Sequence, residues 1–175
     1  QDYIIRNVAS TGAATSKNHG KVLTLGGDFT LRYFYQKTFS VGGNLSYMDM
    51  RNQERKNTNG ANSLTYKDRV PNMPYLFGNV DASYTFADLI TQDDGLTLGY
   101  NLAYMHEFFL SWQSEGAKIT VPTQLSHDLS LTYTAPRNKY TLSAEVKNFT
   151  DALLYDNYSL QKAGRAFYVK LGYRF

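Results

Sequence analysis

The sequence predicts an all-β fold: a transmembrane antiparallel β-barrel segment of about eight strands. Three observations predict it. Apolar and aromatic residues alternate with small or polar ones over runs of about ten residues, the period of a strand with two unlike faces. Long polar connections alternate in strict succession with short ones. Tyrosine and phenylalanine, 15 and 10 of the 175 residues beside a single Trp, gather toward the ends of the runs.

The first segment is short, around Tyr3 and Ile5. In the second, Leu23, Leu25, Phe29, Leu31 and Tyr33 oppose Thr24, Asp28, Thr30 and Arg32. Phe39, Val41, Leu45 and Tyr47 then face away from Ser40, Asn44 and Ser46, and Leu76, Val80, Ala82, Tyr84 and Phe86 face away from Asn79, Asp81, Ser83 and Thr85. Leu96, Leu98, Tyr100, Leu102 and Tyr104 oppose Thr97, Gly99, Asn101 and Ala103. Leu129, Leu131 and Tyr133 oppose Asp128, Ser130, Thr132 and Thr134. Tyr140, Leu142, Ala144 and Val146 oppose Thr141, Ser143, Glu145 and Lys147. The last segment sets Phe167, Val169, Leu171, Tyr173 and Phe175 against Tyr168, Lys170, Gly172 and Arg174.

The long connections fall near residues 8–19, 51–73, 111–123 and 149–165; the short ones are Gln36-Lys37-Thr38, a stretch near Ala87–Gly95, and Ala135–Lys139. An antiparallel meander puts every second connection on the same side. All long loops therefore share one side and all short turns the other, as extracellular loops and periplasmic turns do in outer-membrane barrels. Aromatics mark both ends: Tyr33, Phe39, Phe86, Tyr133, Tyr140, Tyr173 and Phe175 near the short turns, and Tyr47, Tyr75, Tyr104 and Phe167 nearer the loops. That is the arrangement of two interfacial girdles.

Composition excludes several classes. No Cys means no disulfide scaffold, thiolate metal site or Cys nucleophile. A net charge of +3 from 18 basic and 15 acidic residues, without a basic face, does not indicate a nucleic-acid partner. No stretch approaches the roughly 20 consecutive apolar residues of a transmembrane helix. A membrane barrel hides its apolar surface in every second residue, so this does not argue against spanning a bilayer.

No catalytic or metal site is expected. His19, His106 and His127 lack a ligand partner at a suitable spacing, and the adjacent His127 and Asp128 point to opposite faces of their strand, so they do not act as a base and its orienter. Asp28, Arg32, Asn44, Asp81, Asn101, Asp128, Glu145, Lys147, Lys170 and Arg174 take the polar face, which on the membrane reading lines the lumen as a hydrated, mutually compensated wall. The loop from Arg51 to Arg69 is locally basic, with Arg51, Arg55, Lys56, Lys67 and Arg69 against Glu54 and Asp68. It is either a solvated loop or a contact for lipopolysaccharide or an acidic ligand. Phe108, Phe109, Leu110 and Trp112 make an apolar cluster near the outer rim, suited to ligand contact or to interfacial anchoring. Arg51, Arg55, Phe108, Phe109 and Trp112 are the loop residues carried forward as candidates for substrate contact.

Several segments resemble one family. The alternating run ending on Phe175 resembles the signal recognised by the outer-membrane assembly machinery. Asn148-Phe149-Thr150-Asp151, then Tyr155-Asp156, then Gly164-Arg165, resembles the "N-L-x-D … P-G-R" region ahead of the last strand of TonB-dependent transporters, with Phe149 in place of Leu and Ala163 in place of Pro. Arg69-Val70-Pro71-Asn72-Met73-Pro74 resembles the family's "R-x-P-N-x-P" segment, and Gly26-Gly27-Asp28 its "G-x-E" strand with Asp for Glu. The resemblance implies that residues 1–175 are the last eight strands of a barrel of about 22 strands. The plug domain and earlier strands of the same receptor, and through the plug the TonB complex, are then its partners, in the outer membrane of a Gram-negative bacterium. It implies active import of a scarce nutrient such as an iron chelate, haem, cobalamin or glycan, with no enzymatic activity and no cofactor. Asn148, Asp151, Gly164, Arg165 and Phe175 take structural roles in it.

Two other architectures fit the pattern. A complete eight-stranded outer-membrane barrel, structural or adhesive, requires the first strand to pair with the last. A soluble, lipocalin-like barrel requires the apolar stripe to point inward.

Overall fold

The computed structural model describes residues 2–8, 14–114, 119–156 and 159–175, with side chains from residue 20 onward. Eight strands form one antiparallel sheet in chain order: β1 (Asp2–Val8), β2 (Ala14–Tyr35), β3 (Phe39–Asn52), β4 (Leu76–Ala87), β5 (Gly95–Met105), β8 (Gln124–Thr134), β9 (Tyr140–Lys147) and β10 (Ala166–Tyr173). Two short strands, β6 (Phe108–Phe109) and β7 (Thr120–Val121), pair with each other inside a loop. The sheet is open, since β1 and β10 stand at its two ends and do not pair. It is therefore not a closed eight-stranded barrel.

The register turns each strand's alternation into two continuous faces. Leu45 lies opposite Phe29, Tyr84 opposite Phe39 and Leu98, Leu131 opposite Leu98 and Ala144, and Leu142 opposite Tyr133 and Leu171. Directly opposed residues point to the same side, so every apolar stripe joins the next. This face is uncovered: Leu25, Phe29, Leu31, Val169 and Leu171 each keep more than 60% of their surface exposed. An apolar area of that extent requires a non-aqueous cover.

The largest departure from expectation is in the first two strands. β2 begins at Ala14, well before Leu23, and β1 pairs only with this extension, from Asp2↔Lys21 to Val8↔Ala14. Because Val22 to Tyr35 pair with β3, β1 stands wholly on the loop side of the band formed by the other strands. Backbone hydrogen bonding with a neighbour, which hydropathy does not record, carries β2 past the apolar run.

Short turns close the opposite side. Gln36, Asp88, Asp93, Arg137 and Asn138 all adopt positive φ there, a conformation Asn and Asp tolerate better than most residues. The β4–β5 turn is organised by Asp94, which is buried and accepts hydrogen bonds from the amides of Leu89 (2.7 Å), Ile90 (3.0 Å) and Thr91 (2.8 Å) and from the Tyr133 hydroxyl (3.1 Å). Burial alone raises a carboxyl pKa, but these donors outweigh it and hold Asp94 below its ordinary value of 3.8. A lowered folded-state value means the carboxylate stabilises the turn above 3.8 and loses that contribution as the pH falls through its folded-state value. Protection of the Leu89, Ile90 and Thr91 amides from hydrogen exchange, corrected for intrinsic rates, is expected to drop in that acid range. In Asp94→Asn, which keeps one acceptor oxygen, protection should be lower at neutral pH and independent of pH.

Candidate functional site

The polar face of the sheet is a ladder of cross-strand pairs. Arg32 reaches Asp81 (3.3 Å), Ser40 meets Ser83 (2.7 Å), Thr85 meets Thr97 (2.9 Å), and Thr132 donates to Ser143 (3.1 Å). Lys147 bridges Asp128 (3.0 Å) and Glu145 (2.6 Å). Exposed pairs of this kind contribute about 0–1 kcal/mol each. Their effect is a neutralised, hydrophilic wall. His127 and Asp128 separate as expected: His127 Nδ1 meets the Tyr100 hydroxyl at 2.7 Å on the apolar side, while Asp128 accepts from Lys147 and from the Asn148 amide (2.9 Å) on the polar side. His106 likewise meets the Tyr104 hydroxyl (2.8 Å). The His19 side chain lies outside the described residues.

Toward the loops the wall changes character. Met48, Phe77 and Met105 occupy positions whose strand parity places them on the polar face, and Phe77 lies directly opposite both Ser46 and Met105. With Pro74 and with Leu154 from the last long loop they line an apolar cavity of about 460 Å³, to which Lys162 and Gln124 add polar groups. Such a volume falls in the range of small-molecule pockets. Sequence reasoning missed these residues, although three apolar side chains out of step with the alternation were the available signal.

The loops above fold into a structure of their own. Val70, Phe108 and Val121 are buried, and Asn52, fully buried, donates to the Thr65 carbonyl (3.1 Å) and hydroxyl (2.9 Å). Asp68 ties the two loops together by accepting from the Ser114 amide and hydroxyl, both at 2.8 Å. The Asn72 amide, in a residue at φ 60°, donates to the Phe109 carbonyl at 2.6 Å. Phe108 thus sits inside this loop core, 2% exposed, whereas Phe109 and Trp112 are half-buried. Arg55 and Lys67 flank the Tyr66 ring, each 5.6 Å from its centre. Arg51 lies elsewhere, at the end of β3, where it donates to Asp49 (2.6 Å). The loop candidates therefore divide among a buried core, an exposed loop surface and the rim of the sheet.

The segment before the last strand is a hydrogen-bonded knot. Asn148 is buried at φ 48°; its side chain donates to the Ala152 carbonyl (2.8 Å) and accepts from the Ala152 amide (3.0 Å). Asp151, at φ 56°, accepts from the Arg165 amide (2.8 Å) across the loop, and the Arg165 guanidinium stands 4.0 Å from its other oxygen. A Cβ at Gly164 would fall 2.6 Å from Asp151 Oδ1, so a larger residue there would displace the carboxylate that accepts from the Arg165 amide. These contacts deliver the chain into β10, whose Tyr173 packs at a tilt against Tyr140 (5.1 Å) and edge-on against Phe175 (4.9 Å) at the short-turn end.

Comparison with known proteins agrees with this architecture. The copper transporter OprC superposes with a TM-score of 0.73 at 17% identity, covering 100% of this chain and 26% of that one. BauA, the ferric preacinetobactin receptor of Acinetobacter baumannii, gives 0.71 at 12% identity, covering 98% and 25%. The FrpB iron transporter of Neisseria meningitidis gives 0.66 at 13% identity, covering 99% and 27%. At these identities the likeness establishes the fold, and the chain spans about a quarter of each of these structures. No individual curated protein matches in sequence. The sequence profile described as TonB dependent receptor-like, beta-barrel matches residues 1–149. The chain therefore belongs to the TonB-dependent receptor β-barrel family, as part of a larger barrel.

Proposed function

We propose that this chain forms part of the wall of a TonB-dependent importer in the outer membrane of a Gram-negative bacterium, and that it carries no chemistry of its own. The observation that carries the reading is the match of residues 1–149 to the family's barrel. The uncovered apolar face and the opposite ladder of polar pairs support it, because a bilayer accepts a sheet only when one face is oily and every edge is closed by further strands. The missing closure comes from the remaining strands of the same receptor, whose plug fills the lumen. Energy passed from TonB to the plug then opens the path along the polar wall.

The substrate belongs to the scarce nutrients that diffusion through open pores does not supply, such as an iron chelate, haem, cobalamin or a glycan. The names of the similar structures mention copper, iron and ferric preacinetobactin, which makes metal ions and metal chelates the first ligands to try. The apolar cavity beside Phe77 and Met105 offers a contact surface on the entry side, together with Phe109 and Trp112 of the loops. Uptake of a labelled ferric chelate by cells expressing the intact receptor is the test. Transport should cease when TonB is deleted or the proton-motive force is collapsed, while binding at the cell surface persists. Uptake unaffected by both treatments would exclude an energised importer.

A further inference from the structure

We propose that the outward face of β2 and β3, just above its tyrosine level, binds the phosphate groups of lipid A, the anchor of lipopolysaccharide in the outer leaflet. The inference rests on the outer-membrane reading above and adds a defined site to it. The register builds the patch. Arg51 lies opposite Leu23 on one side and opposite Arg69 on the other, and Lys21 stands two residues beyond Leu23 on β2. All three cations therefore share the face that carries Leu23, Leu25, Phe29 and Leu45, and strand spacings place their Cα atoms within about 12 Å of one another.

Of the residues whose side chains are described, one carboxylate stands among them, and the register also sets Asp2 opposite Lys21. Asp49 accepts from Arg51 Nε (2.6 Å) and Arg69 Nε (2.7 Å), and Arg69 is further fixed by lying 3.6 Å over the Tyr75 ring. Three cations against Asp49, and Asp2 opposite Lys21, leave the patch net positive, and both guanidinium planes are oriented before any ligand arrives. Orientation matters because a fixed planar fork recognises phosphate oxygens better than a mobile point charge does. Glu54 lies on the other face, beside Gly20.

The surface below the cations selects among anions. Moving toward the short turns, the face passes from Arg51 and Asp49 to Tyr47, which packs edge-on against Tyr75 (6.3 Å), and then to exposed Leu45 and Phe29. A ligand seated on the cations has apolar wall directly beneath its anionic end. An amphiphile with phosphate at one end and acyl chains at the other fits both surfaces at once; inorganic phosphate uses only the upper one.

The test uses the intact receptor, freed of bound lipid and titrated in detergent with bis-phosphorylated lipid A, mono-phosphorylated lipid A and inorganic phosphate, with bound species counted by native mass spectrometry. Folding is checked by heat-modifiable gel mobility and location by membrane fractionation. The bis-phosphorylated form should bind best. The double variant Lys21→Gln, Arg51→Gln should bind it roughly thirtyfold more weakly, as expected for two lost cations at a membrane surface. Arg51→Lys alone, which keeps the charge and loses the oriented fork, should fall between the unmodified receptor and the double variant. A folded, outer-membrane double variant that binds bis-phosphorylated lipid A as the unmodified receptor does overturns the site and leaves the importer reading intact. Displacement of lipid A by millimolar inorganic phosphate overturns the lipid assignment in favour of a free-anion site. A receptor absent from the outer-membrane fraction overturns both the location and the site.

Discussion

Leu131→Arg is expected to destabilise the assembled barrel by about 2–4 kcal/mol, whereas Ser130→Arg, one residue away, should be nearly neutral, since charge on a lipid-facing wall is penalised most near the midplane. Leu131 lies opposite Leu98 and Ala144 on the apolar face and remains 44% exposed, with no protein group near enough in register to neutralise a guanidinium. Ser130 lies opposite Gly99 and Glu145 on the polar face, where Glu145 and Asp128 supply counter-charge and water supplies hydration. Denaturant titration of the receptor refolded into bilayers measures both variants. Equal costs, or the reverse order, would mean that the two faces have been assigned to the wrong solvents.

Asn148→Ala should cost about 2–4 kcal/mol, the sum of two lost hydrogen bonds at about 1 kcal/mol each and the penalty of a non-glycine residue without a compensating side-chain bond at positive φ. Both Ala152 backbone groups lose their partner at a buried position. Asn148→Gly separates the two contributions, because it relieves the backbone and removes the same bonds, so it should fall between the natural residue and Ala. The same titration reads this series. A cost for Ala no greater than that of an exposed loop residue such as Thr150→Ala would remove Asn148 from the structural knot.

The two-faced strands were legible because period two is local: each of Leu129, Leu131 and Tyr133 declares its side by its distance from the next. The alternation of long and short connections was legible for the same reason and needs no contact to interpret it. The cavity was less so. Phe77 and Met105 carry apolar side chains on polar-face positions, but their significance depends on lying opposite each other and on Leu154 reaching them from a loop some 50 residues away in sequence. Phe108 illustrates the opposite difficulty. A run of Phe108-Phe109-Leu110 next to Trp112 reads as an apolar surface until Val121 pairs with Phe108 and the loop closes over it.

By itself the sequence determined the class of fold and the sharing of one side by the long loops, because each depends on residues whose spacing along the chain already dictates their geometry; the structural roles of Asn148, Asp151, Gly164 and Arg165 came from the resemblance of their segment to the family's. Only the tertiary structure decided that β1 pairs with the upper extension of β2, that the sheet stays open, that the two loops share a core through Asp68 and Ser114, and that Lys21, Arg51 and Arg69 meet on one face. Those features are made by registers between distant segments, and a register is chosen by the joint hydrogen bonding and packing of two strands, information that neither strand carries alone.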